Sequence, residues 1–183
     1  MRKVLVACAC VLVVSASLLA ATLADVTLPD TVTVGSQTLV LNGMGLRSKL
    51  FIKVYVGGLY LEKKTSDPAA IVQTDGTKRV VLQFIYGEVT RDQMVEAFEE
   101  GFKNNAPSAP KAQVQQLVGA LETMKKGEQM VVTYVPGTGT TLTIRGKDKV
   151  TIAGLPFAQA VFSVWFGPKP PNSDLKNGML GKK

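Results

Sequence analysis

The stretch from Leu50 to Leu61 restricts the fold more than any other part of the chain. Its even positions, Leu50, Ile52, Val54, Val56 and Gly58, form an apolar row, and its odd positions, including Lys53 and Tyr55, form a mixed one. A period of two over that length is a β-strand with one face turned to a core. Neighbouring segments repeat the signal. Val26 to Val34 and Thr38 to Leu46 alternate or run apolar, with turn residues at Gly35-Ser36 and Asn42-Gly43, and Arg79 to Tyr86 is rich in Val, Leu, Phe and Ile. Gln129 to Val135 and Thr140 to Arg145 flank Pro136-Gly137-Thr138-Gly139, which predicts a hairpin with a longer loop, and Lys149 to Ile152 reads as one more short strand.

Helical signals are fewer and sit between these strands. Thr65-Ser66-Asp67-Pro68 opens a short helix, with proline at or near its first position. Thr90-Arg91-Asp92-Gln93 fits a capping box, and Met94, Phe98 and Phe102 follow at four-residue spacing as one buried stripe. After the connector from Asn104 to Pro110, Val114, Leu117, Val118 and Leu121 share one face of a second helix. Leu155 to Phe166 reads as a last helix with Phe157, Val161 and Val164/Trp165 buried. The tail from Gly167 to Lys183, rich in Pro, Gly and Asn, is expected to be irregular. With no internal repeat, this pattern predicts one α+β domain, an antiparallel sheet with helices packed on one side.

The N-terminus is of a different kind. Arg2-Lys3 precedes an apolar run from Val4 to Ala21, and Thr22-Leu23-Ala24 supplies small residues before Asp25. This is the pattern of a secretory signal peptide over residues 1–24, cleaved before Asp25, with residues 25–183 as the mature domain. The expectation is an exported protein, periplasmic or secreted, with no stable membrane anchor after cleavage. An uncleaved anchor is the alternative reading of so long an apolar run.

Composition closes several routes to function. The chain has no histidine, and its two cysteines, Cys8 and Cys10, both lie in the leader. Histidine-based catalytic triads, histidine- or cysteine-ligated metals and thiolate nucleophiles are therefore outside the mature chain's repertoire. No metal and no cofactor is expected. Lys and Arg outnumber Asp and Glu by 21 to 14, and removing Arg2 and Lys3 leaves +5. The cations are interleaved with acids, as in Lys63-Lys64 beside Glu62, so they are expected to form a solvated surface rather than a nucleic-acid site.

Gly43-Met44-Gly45 and Gly57-Gly58 lack the spacing and the strand–turn–helix order of a phosphate-binding loop, and are expected to mark bulges or close backbone approaches. Arg47 stands apart from the other cations because it lies between two apolar strand segments. A hairpin places it on the sheet face that carries Tyr55, where a guanidinium favours an anionic guest. The competing reading is a turn arginine paired to a local acid or to solvent.

Gly45-Leu46-Arg47 followed by Phe51 to Leu61 resembles the signature of the chalcone isomerase-like superfamily. So does the later run from Ala158 to Pro168, and the order of strands, capped helix, second helix and hairpin fits as well. The resemblance covers about Val26 to Gly181 and is strongest to the bacterial exported branch. It implies an open-faced β-sandwich, a large antiparallel sheet covered by helices, with a ligand cleft between them. In the plant enzymes of this superfamily an arginine polarises a chalcone as its phenolate adds to the enone, and Arg47 matches that arginine. The other positions depart: a threonine falls at Tyr55, the catalytic tyrosine at Met94, the pocket asparagine at Gly101 and a Thr-Met pair at Val164-Trp165.

The fatty-acid-binding branch fits better, because there an arginine and a tyrosine at the positions of Arg47 and Tyr55 hold a fatty acid carboxylate. The resemblance thus implies a non-catalytic binder of a fatty acid or similar amphipathic carboxylate. Arg47 and Tyr55 would hold the head group, and Met94, Val164 and Trp165 would line the chain. The alternative is an isomerase, an intramolecular lyase acting on an enone, with Arg47 as electrophile and Tyr55 as proton donor.

Overall fold

The computed structural model describes residues 20–182. Its framework is a seven-stranded antiparallel sheet with a layer of helices on one face, as expected from the sequence. Two strands precede the long ones: β1 (Ala20–Leu23) and β2 (Val26–Pro29) form a separate hairpin, turning at Ala24 and Asp25, which both have positive φ. The strands β3 (Thr31–Val34), β4 (Gln37–Lys49) and β5 (Ile52–Leu61) follow. After helix α1 (Pro68–Gln73) come β6 (Lys78–Phe84), the two-residue β7 (Glu88–Val89), and helices α2 (Arg91–Asn105) and α3 (Lys111–Gly119). The chain continues through β8 (Met124–Lys125), β9 (Gln129–Val135), β10 (Gly139–Ile144), β11 (Lys147–Ile152), α4 (Leu155–Phe166) and α5 (Ser173–Met179). The large sheet runs β11-β10-β9-β6-β5-β4-β3, and β7 pairs with β8 beside it.

Several expectations need correction. Val26 to Val34 is not one strand, because the chain turns at Asp30 to leave the small hairpin and enter the main sheet. Leu121 lies beyond the end of its helix, although it is buried. The tail is not irregular. Asn172 caps α5 through its side-chain oxygen, which accepts from the Leu175 amide at 2.8 Å, and Leu175, Met179 and Leu180 are buried. Nor are all the cations solvated. Lys78 is buried, and its ammonium donates to the carbonyls of Ile71, Val72 and Thr74 at the end of α1. Burial lowers its pKa to about 8, against a smaller upward pull from Asp75. Of the proposed leader, residues 1–19 lie outside the described residues, and cleavage before Asp25 would separate β1 from β2 at their turn.

Two bulges explain which residues face the helices. In the β4–β5 pairing, Leu41 lies opposite Tyr60 but Gly43 lies opposite Leu59, so Asn42 is one extra residue. Leu39 and Leu41 therefore turn outward to a small second core with Val26, Leu28, Val56, Tyr60 and Val81, under the β1–β2 hairpin. Gly43, Gly45 and Arg47 turn inward. Further along, Arg47 pairs with Tyr55 and Ser48 with Lys53, which leaves Val54 as the extra residue of β5. The even-numbered row expected to form one face is thus split, with Val56 and Gly58 outward and Ile52 and Val54 at the helical side. The main core belongs to the odd positions Tyr55, Leu59 and Leu61, with Leu82, Phe84 and the helices.

Helix α4 is buried on nearly all sides, which its apolar sequence, interrupted only by Gln159 and Ser163, requires. Helix α2 carries the expected capping box and buries Met94, Phe98 and Phe102. Helix α5 lies directly on β4. A Cβ added at Gly45 would collide with the Leu175 carbonyl, and one at Gly43 with the Gly178 carbonyl. The two glycines are therefore close-approach residues, as expected, and the Asn42 amide fixes the contact by donating to the Met179 carbonyl at 2.8 Å.

Gly45→Ala should destabilise the protein by about 1–3 kcal/mol, the usual range for overpacking. Gly87→Ala, where an added Cβ meets nothing within 4 Å, should stay within about 0.5 kcal/mol. Urea unfolding of the two variants checks this, and equal midpoints would rule out the tight α5 contact.

Candidate functional site

Beneath α2 and α4, at the end of the sheet that holds the β4–β5 turn, lies a cavity of about 290 Å³. Its apolar wall is made by Val54, Leu82, Phe84, Met94, Phe98 and Val164 with Trp165, and its rim by Arg47, Lys49, Leu50, Ile52, Tyr86 and Gln93. Glu96 and Glu100 stand on the α2 side. The aromatic part is tightly organised. Phe98 meets Trp165 edge to face at 5.7 Å between centroids, and Tyr55 meets Phe84 at 5.5 Å.

The polar centre is a row across three strands, in which Arg47 pairs with Tyr55 and Tyr55 with Phe84. The Arg47 guanidinium carbon sits 6.0 Å from the centroid of the Tyr55 ring, within the range of a cation–π contact. Its Nη1 donates to the Pro171 carbonyl at 2.9 Å. Among the described residues no carboxylate lies within 4.0 Å of it, so the reading of Arg47 as an internally ion-paired arginine is not what the structure has. Arg47 is half-buried, less enclosed than the apolar flanks of its sequence suggest, and it stands where the cavity opens.

Tyr55 is buried, and its hydroxyl accepts from Trp165 Nε1 at 3.4 Å, so its own proton is left for a further acceptor. Burial raises its pKa, outweighing the opposing pull of the Arg47 charge and of the Trp165 hydrogen bond. At neutral pH Tyr55 is a hydrogen-bond donor.

The five residues singled out from the sequence, Arg47, Tyr55, Met94, Val164 and Trp165, all contribute to this one cavity. Gly101 does not. It is buried where α2 crosses α4, and an added Cβ would press on Val164 Cγ1 at 2.6 Å, so the position sets helix spacing rather than lining the cleft. Sequence reasoning missed Val54, Phe84, Phe98 and Pro171 as cleft residues. Phe98 was legible as a buried stripe residue, but a stripe does not say which part of it faces a cavity. Pro171 was hidden in a tail expected to be irregular, although Leu175 and Met179 at i, i+4 spacing after Asn172 carried the signal of a capped helix. That segment is pinned from both ends. Asn105 bonds the backbone of Lys169 through both its amide nitrogen and its oxygen, and Lys176 donates to the Gly167 carbonyl at 2.7 Å.

A family described as chalcone isomerase-like matches residues 20–181. Among solved structures, the chain is similar to the crystal structure of the Arabidopsis thaliana fatty-acid binding protein AtFAP1. The TM-score is 0.71 at 15% identity, and the match covers 88% of this chain and 95% of the other. At that identity the likeness shows a shared fold. No curated protein sequence matches.

Because the folded protein holds the Tyr55 proton that an unfolded chain releases near pH 10, Tyr55 should lower stability as pH rises above that value. In a phenolate absorbance titration of the folded protein, Tyr55→Phe should remove no signal below pH 10. Loss of a group titrating in the neutral range would contradict the assigned donor state.

Proposed function

The chain belongs to the chalcone isomerase-like family, and from that premise we propose that it binds a fatty acid or similar amphipathic carboxylate in this cleft, without catalysis. The observation that carries the reading is the Arg47 guanidinium. It rests on a backbone carbonyl, is unmatched by a carboxylate among the described residues, and stands at the mouth of an apolar cavity. A carboxylate beside Arg47 would accept charge-assisted hydrogen bonds from the guanidinium and a further bond from the Tyr55 hydroxyl. The acyl chain would replace water against Val54, Phe84, Met94, Phe98, Val164 and Trp165, where burial is favourable by about 25 cal/mol per Å².

Size favours a modest guest. Ligand cavities commonly run from about 300 to 1,000 Å³, and this one is at the lower limit, which suits a short or medium acyl chain or the head-proximal part of a longer one. The similarity in fold to a fatty-acid binding protein supports the same ligand class. The isomerase alternative draws no comparable support. A tyrosine whose pKa is raised is a poorer proton donor to an enolate, and the buried residues opposite Arg47 and Tyr55, Met94, Phe98 and Val164, are apolar, with the Glu96 and Glu100 carboxylates only at the exposed edge of the cleft. The leader, finally, supports a protein exported to the periplasm or the exterior.

Arg47→Ala should weaken binding of a soluble fatty acid by roughly 10- to 100-fold, the value of about 1.5–3 kcal/mol for hydrogen bonds to a charged group. Titration calorimetry measures this, and native mass spectrometry of gently purified protein should show an acyl ligand retained by the wild type. An absent ligand together with unchanged affinity in Arg47→Ala would overturn the reading, and so would turnover in an absorbance assay across a panel of enones. Export is checked separately by the intact mass of the exported protein, which should correspond to a chain beginning at Asp25.

A further inference from the structure

The β4–β5 hairpin ends in a two-residue turn, Leu50-Phe51, closed by the pairing of Lys49 with Ile52. Both turn residues have positive φ, 48° and 67°. That sign pattern belongs to the mirror-image hairpin turn, for which Asn-Gly or Asp-Gly is preferred because other side chains are strained there. The strain secures no packing within the molecule. Leu50 is 83% exposed and Phe51 fully exposed.

Isolated apolar side chains on a surface are ordinary. These are not isolated. Among the described residues the exposed large hydrophobic side chains are Leu50, Phe51, Ile52 and Tyr86, and three of the four line the rim of the same cleft while Phe51 sits between two of those three. The hairpin arms behind the tip carry Arg47, Lys49 and Lys53, and no carboxylate occurs anywhere between Asp30 and Glu62. Glu96 and Glu100, the acids near the cleft, belong to the helical wall across from it.

We propose that this tip inserts into the surface of an anionic lipid bilayer and brings the mouth of the cleft against the membrane. The order of chemistry along the hairpin fits that occupant. A leucine, a phenylalanine and an isoleucine lead, Lys49 and Lys53 follow directly behind them, at the depth where lipid phosphates lie, and Arg47 stands three residues from the tip. Lysine stems cover apolar surface while their ammonium groups stay with the headgroups. A protein pocket could also accept the phenylalanine, but three flanking cations without an acid favour a surface of uniform negative charge. Docking stands on the tip alone; the further step, passage of an acyl chain between bilayer and cleft, rests on the ligand proposed above.

The test uses flotation of the protein with vesicles of phosphatidylcholine, with and without phosphatidylglycerol. The wild type should float with the mixed vesicles, less so as salt rises, because added ions screen the lysines. Phe51→Gly places the residue best suited to positive φ in the turn, so the melting temperature should hold or rise while flotation falls about tenfold or more, as loss of one buried aromatic side chain implies. Phe51→Trp should float like the wild type and shift its fluorescence to the blue when mixed vesicles are added. Lys53→Glu should remove the preference for phosphatidylglycerol.

Equal flotation of the wild type and Phe51→Gly would overturn the proposal, as would a wild type that stays with the soluble fraction. Capture of a protein through the tip in the absence of vesicle binding would overturn it too. Fatty acid affinity is measured separately, in solution, and should be the same in Phe51→Gly and wild type. If the protein floats through its tip but binds no fatty acid, docking stands and the ligand assignment falls.

Discussion

The register of β4 on β5 governs both the core and the cleft. Two strands that paired without interruption would send Leu39, Leu41, Gly43, Gly45 and Arg47 all to one face. The extra residue at Asn42 divides that series, so the leucines pack under the β1–β2 hairpin while the glycines and the arginine face the helices. The extra residue at Val54 does the same in β5, and turns Ile52 and Val54 to the cavity although Val56 and Gly58 look outward. A bulge costs one unpaired position in the ladder. Here it allows one sheet to serve two cores and to end in a ligand-sized hollow.

Helix α5 depends on that division. Its approach requires that Gly43 and Gly45 present bare backbone to it, which they do only inward. The segment preceding α5 in turn carries the Pro171 carbonyl that receives Arg47. The guanidinium is thus oriented by an element far away in sequence, through a helix seated on glycines next to the arginine itself. A side chain held in this way has already lost much of its rotamer freedom, so less entropy remains to be lost when an anion arrives.

What was legible in the sequence follows from what alternation and capping encode. The strands β4, β5, β6, β9 and β10, the capping box at Thr90 and the buried helix from Leu155 to Phe166 could be read because each is a local pattern of apolar spacing or hydrogen-bonding chemistry. The pairing of Arg47 with Tyr55 was legible in type, since a hairpin joins the two. Which row of β5 faces the main core was not, because a bulge is a one-residue event in the partner strand and changes no propensity. The same holds for Lys78. In sequence it is a cation before a strand like the others; only the carbonyls at the end of α1, brought to it by the fold, make its burial tolerable. Tyr55 shows the limit in electrostatics. A neighbouring arginine was readable, but the desolvation that outweighs its effect is a property of the assembled core.

Half-burial of Arg47 bears on how a bound acid would leave. An ion pair sealed in the interior must recover a large desolvation cost through its mutual attraction, and separating it leaves a buried charge behind. At the rim of the cavity the guanidinium is partly exposed and already bonded to the Pro171 carbonyl, so release of an acid from it would strand no bare charge. For the ligand proposed above, affinity would then come mainly from the apolar wall, and orientation from Arg47 and Tyr55. That division suits a carrier that meets its guest at a surface, because the chain is the part a bilayer can compete for. A site that stabilises charge appearing during a reaction also closes its donors into a water-poor centre, whereas Arg47 is half-exposed at the mouth of this cavity. On the reading proposed above, a cleft with its cation at the door and its grease inside suits exchange of a guest.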